Sequence, residues 1–136
     1  MQIIGFSLNK ISIERKEKQE GKLEIKQNIN IDEISKDKIN LSEGEIIKVD
    51  FTFNVDYNPE LAKLEIKGQT ILLPNKEEIK DILKDWKKKQ VSENFRVPLF
   101  NFIMGKCNIK ALELEDELNL PLHLPMPRLS SKKEGQ

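Results

Sequence analysis

Between residues 47 and 57 the apolar side chains fall on every second position: Ile47, Val49, Phe51, Phe53, Val55 and Tyr57 alternate with Lys48, Asp50, Thr52, Asn54 and Asp56. A period of two sends the two sets to opposite faces, so the pattern predicts a half-buried antiparallel strand with one dry face and one wet one. The N-terminal stretch is strand-like but less regular. Ile4, Phe6 and Leu8 share one parity, Ile11 and Ile13 the other, and the switch predicts a β-bulge or bend at Asn9 and Lys10. After a charged turn at residues 16–21, Leu23, Ile25, Ile29 and Ile31 share a parity broken only by Gln27. That predicts a second strand, paired with the first as a hairpin. Asp37, Lys38, Asn40, Ser42 and Gly44 carry turn chemistry, so residues 39–44 read as a connection. Asn58, Pro59 and Glu60 predict a turn into a fourth strand that runs from Leu64 to Leu73. Leu64 and Ile66 differ in parity from Ile71 and Leu73, which places an expected bulge at Gly68.

The period then changes. Pro74 stops the strand, and Asn75 followed three residues later by Glu78 has the form of a capping box. Ile79, Ile82, Leu83 and Trp86 follow at helical spacing, with Lys87, Lys88 and Lys89 where the helix dipole favours cations. Residues 92–96 read as a linker and Pro98 as the first position of a second helix. In that helix Leu99, Ile103, Cys107, Ala111, Leu114 and Leu118 make one stripe, widened by Phe100, Phe102, Met104, Ile109 and Leu112. So much apolar surface calls for two partners, the sheet and a second subunit. Asn119 suits the left-handed residue that ends a helix, and Pro121 prevents continuation. Pro121, Pro125 and Pro127 keep the tail extended, with Leu122, Leu124 and Met126 as an apolar strip along the sheet edge or under a helix. The expected architecture is α+β: a four-stranded antiparallel sheet, then a short helix and a long C-terminal helix packed on one face. Residues 1–129 form one domain and residues 130–136 a disordered polar tail.

Composition narrows the function classes. A chain of 136 residues buries enough surface for a single core without staples. Its 23 basic and 23 acidic side chains cancel, which removes the positive field that phosphate binding relies on, so nucleic acid is not an expected partner. One cysteine cannot make an intrachain disulfide, and no signal-peptide pattern precedes the first strand, so the expected location is the cytoplasm. No apolar run approaches the ~20 residues that span a bilayer, and no membrane insertion is expected.

Candidate chemistry is sparse. His123 is the single histidine, and with Cys107 it falls short of even a three-ligand zinc site. Cys107 sits on the core stripe, where cysteine behaves as a small hydrophobe. Glu113, Glu115, Asp116 and Glu117 gather at the negative end of a helix without calcium-loop spacing, and read as solvated or as the contact for a basic partner. Lys84, Lys87, Lys88 and Lys89 surround Trp86, but Trp86 falls at the apolar spacing of its helix, so the lysines read as a solvated face. No catalytic residue, cofactor or metal is expected, and the chain does not read as an enzyme.

The run PLFNFIMGKCNIKAL at residues 98–112, closing in LNLPLHLPMP at residues 118–127, resembles the long helix and closing apolar segment of the SecB family, the bacterial preprotein-export chaperones. The order of elements resembles that family over nearly the whole chain, and also a group of small archaeal proteins with a strand-rich front and a Leu-Pro-rich ending. The resemblance implies a homo-oligomer, a dimer or dimer of dimers, whose apolar grooves hold unfolded or extended polypeptide clients. The family is acidic and docks its translocase through that charge. This chain is neutral, so the resemblance reaches client holding more readily than translocase docking. Phe100, Phe102, Met104, Leu122, Leu124 and Met126 are the expected polypeptide-binding or subunit-interface residues. The competing expectation is an oligomeric structural or adaptor protein that uses the same surface for one folded partner.

Overall fold

The computed structural model describes residues 2–17, 21–38, 44–129 and 131. Four strands, β1 (Gln2–Arg15), β2 (Glu24–Lys38), β3 (Glu45–Asn58) and β4 (Ala62–Leu73), precede two helices, α1 (Lys76–Lys87) and α2 (Glu93–Glu117). The strands form one antiparallel sheet in the order β1-β4-β3-β2. The fold is therefore the expected α+β arrangement, with one correction. β1 and β2 do not form a hairpin; they lie at opposite edges of the sheet. β3 and β4 carry the most continuous alternation and are buried on their inner faces along nearly their whole length, so they take the two central places, where both edges of a strand are paired.

β3 uses its odd positions as expected: Ile47, Val49, Phe51, Phe53, Val55 and Tyr57 are all buried. The bulge expected at Asn9 and Lys10 is present as a register shift between Leu8 and Lys10. A second shift lies between Ile3 and Gly5, and a third, in β2, between Ile31 and Glu33. No bulge occurs at Gly68, because β3 and β4 pair in unbroken register from Ile47↔Leu72 to Tyr57↔Ala62. The parity change there has another origin. Leu64, Ile66, Thr70 and Leu72 face inward, while Ile71 and Leu73 alternate with them on the outer side. Gly68 answers to a close approach: a Cβ there would meet the Ser7 carbonyl oxygen at 2.5 Å and the tip of the Phe51 ring at 2.8 Å. The outer face is largely polar, with Thr52 donating to Asp32, Gln69 donating to Asp50 at 3.0 Å, and the ion pairs Lys48–Asp37 and Lys10–Glu65.

The capping box of α1 is complete. Asn75 accepts from the Glu78 backbone at 2.8 Å, and the Glu78 carboxylate accepts from the Asn75 backbone at 2.9 Å. The second helix begins five residues before Pro98, at Glu93, so residues 93–96 are helix and not linker. Proline removes only the bond to the Asn94 carbonyl, which lies on an exposed residue and can be hydrated. Phe95, buried one turn before Leu99, anchors the extra turn. The inward residues of α2 are Phe95, Leu99, Ile103, Cys107, Ala111 and Glu115, a ridge at intervals of four that runs obliquely to the helix axis. Leu114 and Leu118 flank it. Asn119 takes the expected left-handed conformation, at φ 54°. The expected connection at 39–43 and the polar tail, apart from residue 131, lie outside the described residues.

Candidate functional site

Apolar residues surround α2 on nearly every side, so the sheet cannot cover them all. On one flank Phe102 packs edge-on against Phe6 of β1, ring centroids 5.6 Å apart, and Phe6 stacks on Phe51. On the other flank Phe100 and Met104, one turn apart, line a shallow depression of about 280 Å³ with Gln27, Asn28 and Ile29 of β2. Because β2 is the last strand of the sheet, this depression opens beside a row of backbone groups that no described strand pairs. Three larger depressions, of about 310, 380 and 420 Å³, lie elsewhere on the surface, and the two largest are lined mainly by charged and polar residues.

The tail after α2 returns along the helix as a strap. Leu120 is buried, and its N–H donates to the Glu115 carbonyl at 2.9 Å. Arg15 of β1 donates to the carbonyls of Leu118 and Asn119, at 2.7 and 2.6 Å, satisfying helix-end acceptors. Tyr57 donates its hydroxyl to the Pro121 carbonyl. Burial, reinforced by the nearby Glu115 carboxylate, pushes the pKa of that hydroxyl above its usual value.

Glu115 is the residue whose place the sequence reading missed. It stands on the inward ridge one turn after Ala111, and its side chain is fully buried. His123 meets it there. The ring Nδ1 lies 2.7 Å from Oε2, the His123 backbone N–H donates to Oε1 at 2.9 Å, and Nε2 lies 2.8 Å from Asn108 Oδ1. The imidazole also sits edge-on to Phe53, at 6.2 Å. Its side chain is 1% exposed and that of Glu115 0%. The acidic cluster expected at the end of α2 is thus divided: Glu113 pairs with Lys110, Asp116 and Glu117 are exposed, and Glu115 points into the fold. The one signal in the sequence was the four-residue spacing from Cys107 through Ala111.

The six expected binding residues do not form one patch. Phe102 faces β1, Phe100 and Met104 face β2, and Leu122 and Leu124 are half-buried in the strap. Met126 is 55% exposed. Cys107 is sealed in the core, where burial pushes its thiol up to about 12, and His123 is engaged by Glu115 and Asn108, not by the thiol. Trp86 is half-buried, donates to Glu33 at 2.6 Å and lies under the Lys89 ammonium, 4.4 Å from the ring centroid. Among the described residues, no group of three or more His, Cys, Asp or Glu side chains could hold a metal ion, and no helix is long and apolar enough to cross a membrane.

No family model matches the chain. No curated protein matches it either. Among solved structures the chain is similar to the Mycobacterium tuberculosis SecB-like chaperone Rv1957, in complex with a ChAD peptide from the Rv1956 HigA1 antitoxin. Identity is 14%, the match covers 97% of this chain and 92% of that one, and the TM-score is 0.51. At that identity the likeness is one of fold. The chain has a SecB-like fold, four antiparallel strands carrying a long C-terminal helix on one face.

Proposed function

We propose that this chain is a non-catalytic, cytoplasmic holdase of the SecB-like kind that binds unfolded or extended polypeptide. The observation that carries the reading is the open depression between Phe100 and Met104 of α2 and Ile29 of β2, beside an unpaired strand edge. An extended segment can add its backbone to β2 and set alternate side chains onto the aromatic and thioether surface of α2. Methionine adapts to side chains of different shape, which suits varied clients. Leu122, Leu124 and Met126 of the strap are assigned to the same client-binding surface. Phe102, on the opposite flank, is assigned to a subunit interface with the exposed Val97 and Ile109, in a dimer or dimer of dimers. The SecB-like neighbour is described in complex with a peptide from another protein, which supports polypeptide as the ligand class.

Suppression of aggregation of a chemically unfolded client tests the reading. The protein is expected to suppress aggregation at a few-fold protomer excess, and Phe100→Ser with Met104→Ser to abolish most of the effect. No suppression by the unaltered protein at several-fold excess overturns the proposal.

A second reading rests on the small size of the depression, about 280 Å³, which suits one or two side chains of a defined partner. Such an adaptor would form a stoichiometric complex with a single protein in light scattering and ignore generic unfolded chains.

A further inference from the structure

The outward side of α2 has no explanation within one subunit. Val97, Asn101, Gly105 and Ile109 stand at intervals of four, opposite the buried ridge, and all four are exposed, Val97 by 46% and Ile109 by 69%. None is charged, in a chain whose residues are 34% charged; the charges of this stretch, Arg96, Lys106 and Lys110, lie on other sides of the helix. Gly105 is the least expected member. Glycine is the poorest helix former after proline, yet no described atom lies within 4 Å of where its Cβ would stand, so nothing inside the subunit requires it. What glycine provides on an open helix face is room for a second backbone to come close.

The four positions are symmetric about Ile103, so the ridge matches its own reverse. Laid antiparallel on a second copy, Val97 comes beside the partner's Ile109 and Asn101 beside the partner's Gly105, each pair made twice, as a two-fold contact requires. Charge sets the direction. α2 ends in Glu113, Asp116 and Glu117 and is preceded by Lys87, Lys88 and Lys89. A parallel pair would set acid on acid, whereas the antiparallel one turns each acidic end toward the partner's lysines. We infer that α2 packs antiparallel on the α2 of a second copy, with the backbones closest at Gly105. Two-fold symmetry across the pair then carries both β2-facing flanks to the same side, and the two depressions lined by Phe100 and Met104 open together. A depression of about 280 Å³ holds one or two side chains; two that face the same way let one extended client bind at both.

This contact rests on the assembly and the client surface named with the proposed function, and the test separates them. Sedimentation of the unaltered chain is expected to give a dimer or a multiple of it. Gly105→Lys places a good helix former at an open position; with its fold checked by circular dichroism, it should associate at least tenfold more weakly. Val97→Cys and Ile109→Cys chains, refolded together, should be joined by a short bismaleimide. Neither should be joined to itself, because like positions lie roughly 18 Å apart along the antiparallel pair; Cys107 is buried and stays unreacted. A monomeric unaltered chain, association untouched by Gly105→Lys, or self-joining of either cysteine variant overturns the contact. Reduced, carboxymethylated α-lactalbumin, which cannot refold, should bind the Gly105→Lys variant several-fold more weakly than the unaltered chain, and equal affinities overturn the shared client surface. A dimer that meets the sedimentation and cross-linking expectations but binds no client leaves the contact standing and removes the polypeptide-binding reading.

Discussion

Glu115 and His123, eight residues apart, enclose each other. The imidazole Nδ1 is 2.7 Å from the carboxylate, and the His123 backbone donates to the same group. A buried carboxylate stripped of its imidazole partner costs several kcal/mol, so removing one member costs more than the pair itself contributes. His123→Ala is expected to lower stability by about 3–5 kcal/mol. The paired replacement Glu115→Met with His123→Leu should cost much less, because no charge is stranded. Urea unfolding of the three variants measures both; equal losses for the single and double replacements contradict the pairing.

Gly68 makes a second, independent prediction. A methyl group at this position would stand 2.5 Å from the Ser7 carbonyl and 2.8 Å from Phe51, and neither backbone nor packed ring can move away freely. Gly68→Ala is expected to destabilise by about 1–3 kcal/mol, the usual cost of overfilling a packed site. The midpoint of thermal unfolding checks it, with a neutral result incompatible with the close approach of β1.

The attachment of α1 to the edge of β2 should depend on acid. Trp86 donates to Glu33, and this bond above all, with the Ile34 backbone and Lys89 assisting, holds the Glu33 carboxyl below its usual 4.5. A depressed folded value means the attachment contributes stability above pH 4.5 and loses it as pH falls through the lower folded value. Trp86 is the single tryptophan, so its emission should report the step without interference. Glu33→Gln should remove the acid step, and its persistence would assign the transition to another group.

Cys107 should be inert while the chain is folded. The thiol is buried and raised to about 12 by loss of hydration, so almost no thiolate exists at neutral pH. A maleimide is expected to react within minutes in denaturant and negligibly in its absence. Comparable rates in both would show that α2 opens readily from the sheet.

Local features were legible in the sequence and long-range ones were not. The alternation of β3, the bulge at Asn9 and Lys10 and the Asn75–Glu78 capping box each depend on residues a few positions apart. The partner of β1 depends on competition among four strands for two central places, which no local pattern records. Gly68 was readable as special but not as a close approach, because the strand that approaches it lies some sixty positions away. Pro98 concealed the true start of α2, since proline marks a helix beginning only when the preceding turn has nothing to bury, and Phe95 does. Glu115 was hidden by its acidic neighbours, which suggested a solvated helix end. In the candidate site, Phe100 and Met104 announced a shared flank by their spacing, while the β2 residues opposite them depended on the sheet order.

Arg15 closes the molecule across 103 positions of sequence by holding the last turn of α2, and β1 must wait for β4, made some fifty residues later, before it can pair. Such distant pairings are slow to form because the loop must close before the contact rewards it. During synthesis β1 is therefore an unpaired strand, and the sheet lacks its helix until the final quarter of the chain has been made. This protein spends its own birth as the kind of unfinished polypeptide it is proposed to hold.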